Sequence, residues 1–87
     1  MTPVKGDNWF LYLLRCCDGS LYTGVTTDVR RRLRQHRDGT GGSYTRSRRP
    51  LRLVYQEAHP DRSSALKREA QVKRLPPAAK RRLGMKK

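Results

Sequence analysis

The chain has 87 residues, and 21 Lys+Arg against 7 Asp+Glu give a formal net charge of +14. So short a chain buries only about 60% of its unfolded surface, which predicts one domain with a thin core and a polyanionic partner, nucleic acid ahead of a membrane surface. The longest apolar run, Trp9–Leu14, is far too short for a membrane span or a signal peptide, so a cytoplasmic protein, nucleoid-associated or free, is expected.

In chain order, residues 1–8 form a polar N-terminal segment, 9–83 a single domain and 84–87 a basic tail. Trp9–Cys16 is rich in aromatic and aliphatic residues, as a strand buried on at least one face requires. Cys16 and Cys17 are adjacent and point to opposite strand faces. A disulfide between them would be strained, and two reduced thiols are expected, one facing the core. Asp18-Gly19 supplies a turn, and Leu21–Val25 reads as the second strand of a hairpin. Thr26, Thr27 and Asp28 offer oxygens to cap a helix over about 28–38, Asp28 also suiting the positive end of its dipole, and Gly39 stops it.

Gly39–Pro50 reads as a loop in which glycines, Tyr44 and the basic Arg46, Arg48 and Arg49 suit a phosphate backbone. Leu51–Ala58 alternates, with Leu51, Leu53 and Tyr55 assigned to one face of a third strand. A second helix spans about 62–75, capped by Asp61 or Ser63 and ended by Pro76-Pro77. Ala78–Lys87 adds at most one helical turn. The order is ββαβα plus a short C-terminal helix or tail. This is an α/β (α+β) fold, with a small three-stranded, mainly antiparallel sheet flanked by helices.

At about 100° per residue, Val29, Leu33 and His36 share one face of the first helix, and Arg32 borders it. Arg31 and Arg34 point away and suit phosphate contact. On the second helix Lys67, Arg68 and Arg74 face outward, whereas Glu69 falls inside the apolar arc with Lys73 beside it. A carboxylate there costs several kcal/mol unless compensated. The helix position alone fits an ion pair with Lys73, or with an arginine of the first helix, as well as it fits a metal or catalytic role. His36 taken singly fits a packed, semi-core histidine ahead of a catalytic one. Tyr12 and Tyr22 taken singly are sheet tyrosines with hydroxyls at the rim.

Together these residues say more. Phe10-Leu11-Tyr12, then Tyr22-Thr23-Gly24, then Val29–His36 with Arg32 and His36 one turn apart, and finally Glu69, resemble the GIY-YIG nuclease family, and in particular its small stand-alone bacterial members. The likeness runs from about Trp9 to Leu83. It implies a divalent-metal-dependent endonuclease that hydrolyses phosphodiester bonds in DNA. Such an enzyme would be structure-selective or non-specific, with a role in repair or recombination. It implies one Mg²⁺ or Mn²⁺ on Glu69, Arg32 on a phosphate oxygen, Tyr22 with Tyr12 at the attacking water, and His36 in proton transfer or phosphate holding. Arg31, Arg34, Tyr44, Arg46, Arg48, Arg49 and Lys73 would contact nucleic acid, DNA rather than RNA. The first motif lacks its glycine, and Val25 stands where many members carry lysine. Asn8 is the only asparagine, so the one that many members carry after the glutamate helix is missing. A protein partner supplying specificity, in a monomer or weak dimer, is consistent with those gaps. The competing expectation is a non-catalytic basic DNA- or RNA-binding module associated with ribosome or nucleoid.

Overall fold

The computed structural model describes residues 8–85. Strands β1 (Trp9–Arg15), β2 (Leu21–Thr26) and β3 (Arg52–His59) form one antiparallel sheet in the order β2-β1-β3. Helices α1 (Val29–Asp38) and the short α2 (Ser43–Arg46) lie between β2 and β3, and α3 (Arg62–Lys73) and α4 (Pro77–Met85) follow them.

Successive side chains of a strand point to opposite faces, and β1, in the middle of the sheet, must be apolar on both. Leu11, Leu13 and Leu14 are fully buried, and Tyr12 nearly so. Leu11 and Leu13 pack with Val72 of α3, joined by Val25, Val54, Tyr55, Leu75 and Leu83. On the other face Tyr12 and Leu14 pack with Cys16 and Leu51, joined by Tyr22, Leu53 and Leu33 of α1. The sheet is thus sandwiched, with α1 on one side and α3 and α4 on the other. Both thiols are free, Cys16 buried and Cys17 exposed.

Several sequence expectations need correction. Leu51, Leu53 and Tyr55 do not share a face: β3 pairs Leu13 with Tyr55 but Leu14 with Leu53, so Val54 is an extra residue at a bulge. That bulge turns Tyr55 toward the α3 side. The 39–50 loop contains α2. α4 is two full turns rather than one and takes in Gly84 and Met85, which the sequence assigns to a tail. Asp61, not Ser63, caps α3, accepting from the Ser64 amide at 2.8 Å. The N-terminal segment 1–8 lies, apart from Asn8, outside the described residues, as do Lys86 and Lys87.

Arg68 also departs from the outward rule. It donates through Nε to Glu57 Oε2 at 2.9 Å, while His59 Nε2 lies 2.7 Å from the same oxygen and the Tyr55 hydroxyl donates to Oε1. This cluster ties β3 to α3. Burial alone would raise the Glu57 carboxyl, but Tyr55, His59 and Arg68 more than reverse that and leave it below the ordinary glutamate value. The stability it supplies is therefore complete above the unfolded-state pKa and is lost as pH falls through the lower folded-state value. Thermal unfolding followed across the acid range should show the native chain losing its margin over Glu57→Gln as pH drops. Parallel curves for the two proteins would refute that role.

Candidate active site

On the α1 side of the sheet, Tyr12 lies opposite Gly24 and Tyr22 lies opposite Leu14. The two tyrosines are diagonal neighbours on one face, their ring centroids 6.4 Å apart. Gly24 is required by close approach: a Cβ there would stand 2.5 Å from the Tyr12 hydroxyl oxygen.

Asp28 accepts from the Arg31 amide at 3.0 Å to start α1, and Gly39, at φ 88°, ends it. The helix delivers Arg32 and His36 to that face one turn apart. His36 is 0% exposed. Its Nε2 lies 3.0 Å from the Tyr12 hydroxyl, its Nδ1 lies 2.8 Å from Thr45 Oγ1, and the Tyr22 ring meets it edge-on at 5.2 Å. Arg32 donates from Nη1 to Gln35 Oε1 at 2.9 Å and from Nη2 to the Gly41 carbonyl at 3.0 Å.

Burial pushes the Tyr12 phenol up to about 12, against the pull of Arg32, and Tyr22 and Glu69 reinforce the rise. The nearby cation thus does not make Tyr12 a phenolate at neutral pH, because desolvation outweighs it. Burial lowers His36, and the Arg32 charge acts in the same direction, so the imidazole is held neutral. Glu69, on α3, is close enough to act on the Tyr12 phenol. Its side chain is 20% exposed, with Lys73 Nζ 3.4 Å from Oε2 and the Lys73 side chain 57% exposed. The ion pair considered from sequence is present, at the surface rather than in a closed core.

The family model for the GIY-YIG catalytic domain matches residues 8–82. The chain belongs to the GIY-YIG family. A UPF0213 protein of Cupriavidus pinatubonensis is 57% identical over 72 residues, 83% of this chain and 80% of that protein. One of Desulfotalea psychrophila is 53% identical over 76 residues, 86% of this chain and 69% of that protein. Among solved structures, the solution structure of UPF0213 protein BH0048 of Bacillus halodurans matches with a TM-score of 0.56 at 47% identity, covering 87% of this chain and 81% of that one. That of EF2693 from E. faecalis matches with a TM-score of 0.60 at 38% identity, covering 90% and 84%. The three-stranded antiparallel sheet with flanking helices is accordingly that of a nuclease-type domain family.

Of the GIY-YIG residues named from sequence, Tyr12, Tyr22, Arg32 and His36 come together on one face, and Glu69 reaches it electrostatically from α3. Among the described residues no three His, Cys, Asp or Glu side chains converge. A lone, partly exposed carboxylate still fits a hard divalent ion, because Mg²⁺ keeps several waters and takes only one or two protein carboxylates. Lys73 is an exposed partner that such an ion could displace.

The basic surface divides into two kinds of arginine. Arg31 and Arg34 are exposed on α1. Tyr44, 40% exposed, stacks between Tyr22 at 5.9 Å and the Arg48 guanidinium at 3.8 Å. Arg48 also pairs with Asp18 at 3.1 Å and donates to the Tyr44 carbonyl. Arg49 donates to the Arg46 and Arg37 carbonyls at 3.0 and 3.1 Å. Arg48 and Arg49 therefore brace the loop as well as charging it. Arg37, which the sequence reading missed, joins Arg46 and Arg49 around an open cleft of about 440 Å³. Also missed were Thr45, Gln35 and Gly41, the partners of His36 and Arg32. The one sequence signal is that Thr45 follows the conspicuous Tyr44 directly.

Proposed function

We propose that this GIY-YIG protein is a divalent-metal-dependent endonuclease that hydrolyses phosphodiester bonds in DNA, structure-selective or non-specific. The observation that carries the reading is the convergence of two tyrosines, a neutral buried histidine and a braced arginine on one sheet face, with the Glu69 carboxylate of α3 adding a minor electrostatic push on the Tyr12 phenol. Glu69 would hold one Mg²⁺ or Mn²⁺, which when bound supplies polarisation of the phosphate and neutralisation of the leaving oxygen. Arg32 is fixed by Gln35 and Gly41 and also reaches the Tyr12 hydroxyl, and the rest of its planar fork would hold a non-bridging oxygen. Tyr22 orients the attacking water from the rim. Tyr12 and His36 lie behind it as a proton-accepting pair, so His36 serves proton transfer rather than direct phosphate contact. Tyr44 would stack on a base only where the base takes the place of the Arg48 guanidinium over its ring, and Arg31, Arg34, Arg46 and Lys73 supply phosphate contacts. A place in repair or recombination suits a cutter that carries no extended base-reading element among the described residues.

The Glu69–Lys73 pair is what favours the second reading, a basic module that binds without cutting. A nicking assay on branched, flapped and plain DNA, with Mg²⁺ or Mn²⁺ against chelator, separates the two. Metal-dependent cleavage is expected. Binding without cleavage at any metal concentration would establish the module instead. In chelator, binding should show steep salt dependence: six to ten phosphate contacts lose about 10³–10⁵ in affinity from 50 to 200 mM salt. Affinity insensitive to salt would remove the phosphate-backbone interface from both readings.

A further inference from the structure

The hydrogen-bond chain behind Tyr12 has one self-consistent proton arrangement. The neighbours of the Tyr12 hydroxyl are His36 Nε2, at 3.0 Å, and the Arg32 guanidinium. Arginine has donors and no acceptor, so the phenolic proton is directed to Nε2. A neutral imidazole that accepts at Nε2 carries its proton on Nδ1 and donates it to Thr45 Oγ1, 2.8 Å away. The Thr45 hydroxyl proton then goes to the Gly42 carbonyl, 3.4 Å away, which can only accept. Every donor in the chain meets an acceptor. The reverse direction would aim the Thr45 proton at Nδ1 and an Nε2–H at Tyr12, leaving the phenolic proton facing only a cation.

We propose that Thr45 is a positioning residue that holds His36 as the Nδ1–H tautomer, keeping Nε2 open as the acceptor for the Tyr12 proton. The segment carrying Thr45 is shaped for this. A Cβ on Gly41 would lie 2.5 Å from His36 Nδ1, so a glycine is needed to let the chain pass the imidazole. Gly42, whose carbonyl ends the relay, has φ 148°, a backbone state that side chains disfavour. The Gly41 carbonyl also fixes Arg32. The five-residue segment 41–45 thus holds both side chains that α1 presents.

The consequence for chemistry rests on the nuclease reading. When Tyr12 Oη takes a proton from water, its own proton moves to His36 Nε2. The water loses one proton, the tyrosine is unchanged, and the imidazole becomes an imidazolium. Thr45 is compatible with both states of the ring because it accepts from Nδ1–H in each. A donor at that position would oppose the charged state.

The test needs no cleavage. ¹⁵N-labelled histidine in the full chain, observed by NMR above the His36 titration, should show a proton-bearing Nδ1 and a bare Nε2. Thr45→Val, nearly isosteric, should shift a substantial fraction to the Nε2–H form, and Thr45→Ser should restore the native pattern. A native spectrum with Nε2–H, or an unchanged tautomer in Thr45→Val, overturns the assignment. If Thr45→Val does not fold, the native spectrum and Thr45→Ser still decide it. In cleavage assays Thr45→Val should lose about tenfold or more with Thr45→Ser recovering. A native chain that cuts no DNA but shows the Nδ1–H tautomer would sink the nuclease reading and leave this one standing.

Discussion

Glu69→Ala should abolish metal-dependent cleavage, by about 10³-fold or more, while leaving the fold almost as stable as before. The size follows from the loss of a metal's share of transition-state charge stabilisation, several kcal/mol, with each 1.36 kcal/mol worth about tenfold in rate. The small effect on stability follows from the surroundings of the carboxylate. Its recorded ion pair is with a lysine side chain 57% exposed, at 3.4 Å, and such pairs contribute about 1 kcal/mol or less. Lys73→Ala should separate the two roles, since it frees the carboxylate for a cation and retains cleavage. The measurement is the initial nicking rate across a Mn²⁺ titration, with thermal unfolding of each variant alongside. Undiminished cutting by Glu69→Ala would identify a contaminant or another metal ligand.

The second large effect is expected at Gly24. Adding a methyl group there places a carbon 2.5 Å from the Tyr12 hydroxyl oxygen and 2.6 Å from Cζ. The aromatic ring cannot swing aside, because Tyr12 is packed between Leu14, Leu51 and the His36 contact. Overpacking of this kind costs about 1–3 kcal/mol. In a domain of this size each kcal/mol lowers Tm by about 4–8 °C. Gly24→Ala should therefore melt clearly earlier and also lengthen or break the Tyr12–His36 hydrogen bond, depressing cleavage beyond what the stability loss explains. An unchanged Tm would mean that the strand relieves the clash without effort, and that the glycine is not there for the tyrosine.

Much of this arrangement was legible in the sequence because it depends on local periodicity. The α1 face carrying His36 with Arg32 at its border, a polar cap within 26–28, the Gly39 stop and one core-facing thiol of the Cys16-Cys17 pair all follow from spacing along a single element. The shared face of Tyr12 and Tyr22 needed the family resemblance. What escaped depends on contacts between elements. Glu57 looked like an ordinary strand residue, yet its side chain is 19% exposed, much like that of Glu69. Only the packing of α3 against β3 brings Arg68 to it. The bulge at Val54 leaves no mark in the alternation of Leu51, Leu53 and Tyr55, since it arises from the pairing with β1. Thr45 is nine residues from His36 on a different helix, and nothing in the spacing links them.

The place of β1 in the middle of the sheet has a further consequence. Its odd-numbered leucines are claimed by α3 and α4, and its even positions carry Tyr12. Sliding β1 by one residue against its neighbours would exchange the two sets, putting leucine methyls where the phenol stands and a tyrosine hydroxyl into the oily layer beneath Val72. Hydrophobic sorting during folding therefore selects the register that orients the chemistry, and the reactive face is inherited from the greasy one.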